Sequence, residues 1–374
     1  MRRTASFNLF PDAPTERRMA RARWLAREGR LGDAETAYRT VLDDHPEFKD
    51  CWAEYFELLR RHRRLDDALQ VAEAATERFG AGAFSDTLRG AALIDLGRYP
   101  EALASLERAL EDDPDLALAW HELGLAAHRL GDGTRALLAL DRAFALEPHT
   151  ATLKLRGRVL RDAGRYVAAE VAFEGAAEAA DHDEQRADAR REIAVTRRYA
   201  LWEPRRPADL SPAEAWFAET GAVVLAPVAA DAPPGDDTLV AAFAELARDR
   251  GWRFGQVVAV GATAPPWPGL AGVLDAPLVA MGAFDPAAAP LLVTGEPSGP
   301  DWQRLTAVLD ERGVGLAFAL QHPAEPMGDV SADVVGVLTD AGGRRAAAPD
   351  PARALSQAQH PAARAAGRRF APTA

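Results

Sequence analysis

Apolar residues recur three and four positions apart between residues 15 and 203, in stretches of about a dozen residues. That spacing predicts a series of short amphipathic helices. Beyond residue 220 the pattern changes to compact apolar runs. GAVVLAPV (221–228), QVVAVGA (256–262), PLVAMGAF (277–284), PLLVTGE (290–296), VGLAFAL (314–320) and DVVGVLT (333–339) read as strands. Between them, 236–251 and 301–313 have helical spacing, with Leu239, Phe243 and Leu246 on one face and Trp302, Leu305 and Leu309 on the other. Near-continuous apolar strands separated by helices predict an α/β domain with a mostly parallel sheet, because such strands are covered on both faces.

The helical part repeats. Gly97, Ala102, Ala109 and Pro114 are matched 34 residues later by Gly131, Ala136, Ala143 and Pro148. Gly29, Ala34, Tyr38 and Pro46 fit the same frame upstream. Trp52, Leu59, Ala68 and Ala75 form a weaker unit. Leu160, Gly164, Tyr166, Ala169, Phe173 and Ala176 continue it downstream, one residue out of step. Five units result, at about 15–48, 49–82, 83–116, 117–149 and 150–183. Glycine at the turn suits a left-handed helix end, and proline after the second helix no longer breaks it. Small residues, Gly90 or Gly124 opposite Ala102 or Ala136, let two helices approach, with Leu106 and Leu140 filling the space beside them. Unit two departs from the pattern, with Arg63 in place of the turn glycine and Gly80 in place of proline. In unit one, Arg21 and Ala22 replace the Leu–Gly pair. Residues 184–203 read as a capping helix in which Ile193, Val195, Tyr199 and Leu201 cover the last repeat and charged residues face water.

These positions resemble the tetratricopeptide repeat (TPR) family, best in the unit Trp120, Leu123, Gly124, Gly131, Ala136, Ala143, Pro148. The resemblance covers about half the chain and implies a right-handed superhelix of helix pairs. It also implies that the first helix of each pair lines a concave surface that meets a partner. Carried over position by position, the main groove residues are Phe84, Ile94, Leu118, His121, Leu125, His128, Arg129, Lys154, Arg158 and Arg161. Arg23, Arg27, Arg60 and Arg61 form a secondary group. The full predicted lining holds eight Lys/Arg against five Asp/Glu. Guanidinium forks suit carboxylates, so the expected ligand is a peptide or protein segment with acidic and apolar character. The alternative is an arginine-rich solvated face. The asparagines of a carboxylate clamp are missing at these positions.

Charge and composition narrow this picture. The net charge of −12 argues against general nucleic-acid binding. Only Lys49 and Lys154 are lysines, so arginine is abundant everywhere and weakens any single arginine cluster as a signal. One cysteine, Cys51, excludes an intramolecular disulfide framework and fits a reducing compartment. No apolar run of about 18 residues predicts a membrane span, and the N-terminus lacks a signal-peptide core. The expectation is a cytoplasmic protein without membrane insertion.

In the C-terminal part, Asp231, Asp236, Asp237, Glu296 and Asp301 lie after strands. There they would hold Mg²⁺ or, more simply, Asp236 or Asp237 and Ser298 or Asp301 would cap the helices that follow. APPWPG and EPSGPD lack the ending of a phosphate loop. His322 is the only histidine between 184 and 359 and the one credible base. Trp252, Trp267 and Trp302 read as packing residues or as a pocket lining. Residues 341–374 carry +5 and the rest of the chain −17. That tail reads as disordered, and Phe7, Leu9 and Phe10 as an apolar latch or a docking motif.

The expected fold is therefore an all-α TPR superhelix of about five helix pairs with a capping helix. A small α/β domain and a disordered tail follow. The expected divisions are an arm at 1–14, the array at 15–203, a linker at 204–218, the α/β domain at 219–340 and the tail at 341–374. The leading function is a non-catalytic adapter or assembly factor with no cofactor and no metal. The alternative is an enzyme whose α/β domain acts on substrates recruited by the repeats. The oligomeric state is left open.

Overall fold

The structure, a computed structural model, describes residues 13–226, 235–261, 266–323 and 332–339. Phe7, Leu9, Phe10, Asp231 and the tail from residue 341 lie outside the described residues. Ten helices come first, as five helix–turn–helix units in sequence. They are α1 (Ala13–Arg27) and α2 (Leu31–Asp44), α3 (Lys49–Arg61) and α4 (Leu65–Phe79), α5 (Ala83–Asp95) and α6 (Tyr99–Asp112), α7 (Ala117–Arg129) and α8 (Gly133–Leu146), then α9 (Thr150–Asp162) and α10 (Tyr166–Glu178). The chain divides into two compact units between Val159 and Leu160, inside α9.

In the first unit each helix packs on the next, and α5 also touches α3 and α7. First helices are thus neighbours along one side. Ala34, Ala68, Ala102 and Ala136 are fully buried. The glycines face the second helices as expected, with the leucines the nearest neighbours and Ala136 O 3.4 Å from a Cβ on Gly124. A Cβ on Gly90 would lie 2.5 Å from Leu106 Cγ, and one on Gly124 2.7 Å from Leu140 Cγ. Side chains lean toward the helix N-terminus. A leucine one turn beyond the alanine therefore covers the gap. Successive units are also tied by the indoles: Trp52 Nε1 donates to Pro46 O at 2.9 Å and Trp120 Nε1 to Pro114 O at 2.8 Å.

The inter-helix turns use a left-handed residue at Gly29, Gly97, Gly131 and Gly164, with φ between 71° and 79°. Arg63 takes the same role at φ 59°. An L-residue pays about 1–2 kcal/mol there, part of which is recovered because glycine is freer when unfolded. Arg63→Gly is therefore expected to stabilise the protein by about 0.5–1 kcal/mol. An unchanged or lower midpoint in urea unfolding would contradict this. The residue after the turn explains part of the arginine excess. Arg30, Arg64 and Arg98 each bond a carboxylate three residues on, in the first turn of the second helix.

The second unit holds α10, α11 (Asp183–Tyr199), α12 (Pro212–Thr220) and a six-stranded parallel sheet. Its strands are β1 (Val223–Ala226), β2 (Gln256–Ala259), β3 (Leu278–Val279), β4 (Pro290–Thr294), β5 (Leu316–Pro323) and β6 (Val334–Thr339), in the order β1-β6-β5-β4-β2-β3. Helices α13 (Asp236–Arg250) and α14 (Trp267–Val273) follow β1 and β2, and α15 (Pro300–Arg312) follows β4. Strand residues alternate between two cores. Val223, Leu225, Val257, Leu291 and Phe318 meet Phe243 and Trp267. Val224, Val258, Leu292 and Ala319 meet Trp216, Trp302 and Leu309. Covering both faces requires both strand parities to be apolar, hence the continuous runs.

Several expectations change in detail. The run 277–284 yields only the two-residue β3 and a 3₁₀ turn at Met281–Ala283. Residues 204–218, read as a linker, include a 3₁₀ turn at Pro207–Asp209 and most of α12, whose Trp216 and Phe217 are buried. The start of α12 carries a legible signal. Ser211 Oγ accepts from Glu214 N, and a Glu214 carboxylate oxygen accepts from Ser211 N at 2.9 Å. The residues capping α13 and α15 are Gly235 and Gly299, with no side-chain cap. Asp236, Asp237 and Asp301 instead stand in the first turns, where their charge meets the helix dipole.

Helix α11 corrects the expectation that its charges all face water. Arg198 is 1% exposed. Its Nε donates to Ala218 O at 2.7 Å and its Nη2 to Glu219 O at 3.0 Å. Tyr199 is buried and donates to Glu219 Oε1 at 2.5 Å, whereas Leu201 is exposed.

Candidate ligand-binding face of the repeats

The first helices of the first unit present two adjoining clefts. One, of about 650 Å³, is lined by Arg23, Ala26, Arg27, Ala53, Glu57 and Arg61, with Leu58 in its wall. The other, of about 520 Å³, is lined by Ala53, Phe79, Phe84, Leu88, Leu116 and Leu118, with Lys49 at its edge. Ala53 lines both.

The second cleft is mainly apolar and aromatic, with Asp112 and Asp113 also in its lining. Phe79 and Phe84 meet edge to face at 5.4 Å, and Lys49 Nζ stands 5.4 Å and 5.2 Å from their ring centres. That contact holds a cation over apolar rings. Leu118 is 54% exposed. Phe84 and Leu118, both predicted from repeat position, therefore come together.

The arginines divide into two groups. Arg23 grips Glu54 with Nε at 2.9 Å and Nη2 at 2.5 Å. Arg60 Nε donates to Asp95 at 2.6 Å. Both span neighbouring first helices, so their charge is neutralised within the array. Arg27 is exposed and donates to Arg23 O. Arg61 is exposed and reaches Glu57 at 2.9 Å. Arg27 and Arg61 line the first cleft beside the apolar one.

The remaining predicted residues are spread out. Ile94 is 6% exposed and belongs to the core with Leu93 and Leu106. Leu125 packs against the core. His121 Nδ1 lies 3.0 Å from Thr152 Oγ1, and burial lowers its pKa to about 4, leaving a neutral ring. His128 and Arg129 occupy the last turn of α7. Lys154 and the exposed Arg158 lie on α9. Arg161, in the second unit, is 8% exposed, bonds Glu192 at 2.7 Å and lies over Phe173 and Tyr199. Its reversal would unseat a buried ion pair rather than report on a ligand. Lys49 and Leu116 were missed because repeat position does not place them on the concave stripe.

The sequence of this region matches the tetratricopeptide repeat family over residues 19–83 and a TPR repeat over residues 90–131. Residues 19–131 carry tetratricopeptide repeats. TPR proteins mediate protein–protein interactions, and TPR domains bind protein and peptide partners. An Hsp70-Hsp90 organizing protein of Triticum aestivum is 37% identical over 86 residues, covering 20% of this chain and 15% of that protein. The chain thus spans about 15% of the length of that curated relative. Among solved structures, TTC0263, a thermophilic TPR protein of Thermus thermophilus, is similar at 19% identity and a TM-score of 0.43, over 48% of this chain and 98% of that one. PilW, a type IV pilus biogenesis factor, is similar at 18% identity and a TM-score of 0.44, over 56% of this chain and 91% of that one.

The other candidate residues lie on α3 and in the sheet region. Cys51 is fully buried and its thiol pKa is pushed up to about 12 by burial, so no thiolate forms near neutral pH. His322, near the end of β5, packs tilted against Trp216, with ring centres 4.9 Å apart. Trp252, Trp267 and Trp302 are all buried. Asp333, unremarked in the sequence, is fully buried and accepts from Ala317 N at 2.8 Å, fixing the start of β6 against β5. Among the described residues no group of three His, Cys, Asp or Glu side chains is placed to hold a metal. No described helix is long and apolar enough to cross a membrane.

Proposed function

We propose that this protein is a non-catalytic adapter or assembly factor. In this reading the first-helix face of its TPR array binds a protein segment bearing an apolar side chain and, close to it, an acidic one. The observation that carries this reading is the pair of clefts joined at Ala53. The apolar anchor enters between Phe84 and Leu118. Arg27 and Arg61, the exposed cations of the adjoining cleft, take the carboxylate. The buried lone cysteine is consistent with a reducing compartment, and we place the protein in the cytoplasm.

The test is selection of displayed random peptides on the full chain, followed by fluorescence anisotropy of the selected peptides. Peptides combining an acidic and a large apolar residue should be enriched. Arg27→Glu and Arg61→Glu should each weaken them about fivefold, equivalent to about 1 kcal/mol. Enrichment without acidic residues, or affinity indifferent to both reversals, would overturn the reading.

A further inference from the structure

The inter-helix ion pairs of the TPR array follow the repeat, and one is incomplete. Glu54 on α3 and Glu122 on α7 are 68 residues apart, two repeat lengths, so they hold the same repeat position. Glu54 is gripped by the Arg23 guanidinium. The residue 68 positions beyond Arg23 is Ala91, on α5. The array therefore lacks, at Glu122, the guanidinium that it supplies at Glu54.

What surrounds Glu122 does not replace it. Arg60 Nη1 stands 3.6 Å from Glu122 Oε1 and 3.6 Å from Glu57 Oε2, while its Nε is committed to Asp95. Arg61 takes the other oxygen of Glu57. Three carboxylates thus share two guanidinium groups. Glu122 is 6% exposed, and its Oε2 is buried without a hydrogen-bond partner. Burial pushes the Glu122 carboxyl above the usual range against the pull of the Arg60 guanidinium, and Asp95 and Glu57 add to the rise. An unsatisfied buried carboxylate oxygen is costly, and a positive donor relieves that cost most. Asp95 and Glu57 are partly exposed.

We propose that this position is a subsite for one basic side chain of a bound protein segment, which docks beside Ala91 and donates to Glu122 as Arg23 does to Glu54. A guanidinium fits better than an ammonium, because it repeats the two-nitrogen grip already used at Glu54. The subsite deepens the reading of the first-helix face as a protein-binding surface and rests on it. It adds a basic residue to the partner's apolar and acidic ones.

The probe is acetyl-arginine amide, titrated into the full chain with alanine methyls labelled for NMR. The Ala91 methyl resonance should shift saturably. Acetyl-citrulline amide, similar in shape and neutral, should bind at least tenfold more weakly. Glu122→Gln should remove the difference between the two probes while leaving the other alanine methyls in place. Equal responses to arginine and citrulline, no saturable shift, or an unchanged preference in Glu122→Gln would each overturn the subsite. The small probe does not need the peptide. A silent probe with binding of the selected peptides intact sinks the subsite alone. Loss of peptide selectivity with the probe still bound sinks the apolar–acidic reading alone.

Discussion

Gly336→Val is expected to destabilise the sheet by about 3 kcal/mol. Gly336 lies in β6, which pairs with both β1 and β5. A Cβ there would stand 2.4 Å from Leu320 O and 3.0 Å from Leu239 Cδ1. The first contact is with backbone. Val335 pairs with Ala319 and Val337 with Gln321, so the adjoining register leaves Leu320 little room to withdraw. Valine adds two methyls against α13 as well. Amide exchange should show loss of protection in β5 and β6 with no change in α1 to α8. Retained protection in those strands would show that the ladder tolerates the group.

Arg198→Ala is expected to cost about 3 kcal/mol, measured as a lower midpoint in urea unfolding. The Arg198 guanidinium satisfies Ala218 O and Glu219 O, carbonyls in the last turn of α12, where the helix itself provides no donors. Removing it leaves buried acceptors unpaired, at about 1–3 kcal/mol, and opens a cavity in a fully packed site. It also removes a cation from the negative end of a helix. Arg198→Lys should recover part of the loss, because an ammonium restores the charge without the second donor. An alanine variant within 0.5 kcal/mol of the parent, roughly the range of ordinary surface substitutions, would mean that water replaces the guanidinium.

These two residues illustrate what was legible. The apolar runs and the 34-residue repeat were readable because each repeats a local rule: a glycine turn, a small residue where helices touch, an apolar run where both sheet faces are covered. Arg198 carries no such mark. It sits among Arg190, Arg191 and Arg197 in a helix whose sequence looks solvated. It is buried because the carbonyl end of α12 comes to it from twenty residues away. Helix α12 was missed although Ser211 and Glu214 form a readable cap, because prolines and charges on both sides look like a linker.

The candidate site was half legible. Repeat position placed Phe84, Leu118, Arg27 and Arg61 on the first helices, and the structure joins them in two neighbouring clefts. The same rule also placed Ile94, Arg60 and Arg161 there, and these are taken up by the core or by ion pairs. Repeat position fixes which way a side chain leaves its helix. It does not record whether the next helix offers a carboxylate to receive it.

The sequence by itself determined the periodicity, the helix pairs and the parallel sheet, since each follows from side-chain spacing within a short segment. Tertiary structure decided which arginines are paired from one repeat to the next and which stay exposed. Arg23 and Arg60 are paired with Glu54 and Asp95 on the next first helix, Arg27 and Arg61 stay exposed with Arg61 bonded to Glu57 on its own helix, and one oxygen of Glu122 is buried without a partner. The physical reason is distance. An ion pair is made or lost within about 4 Å, and only the stacking of one repeat on the next brings residues some thirty positions apart within that range.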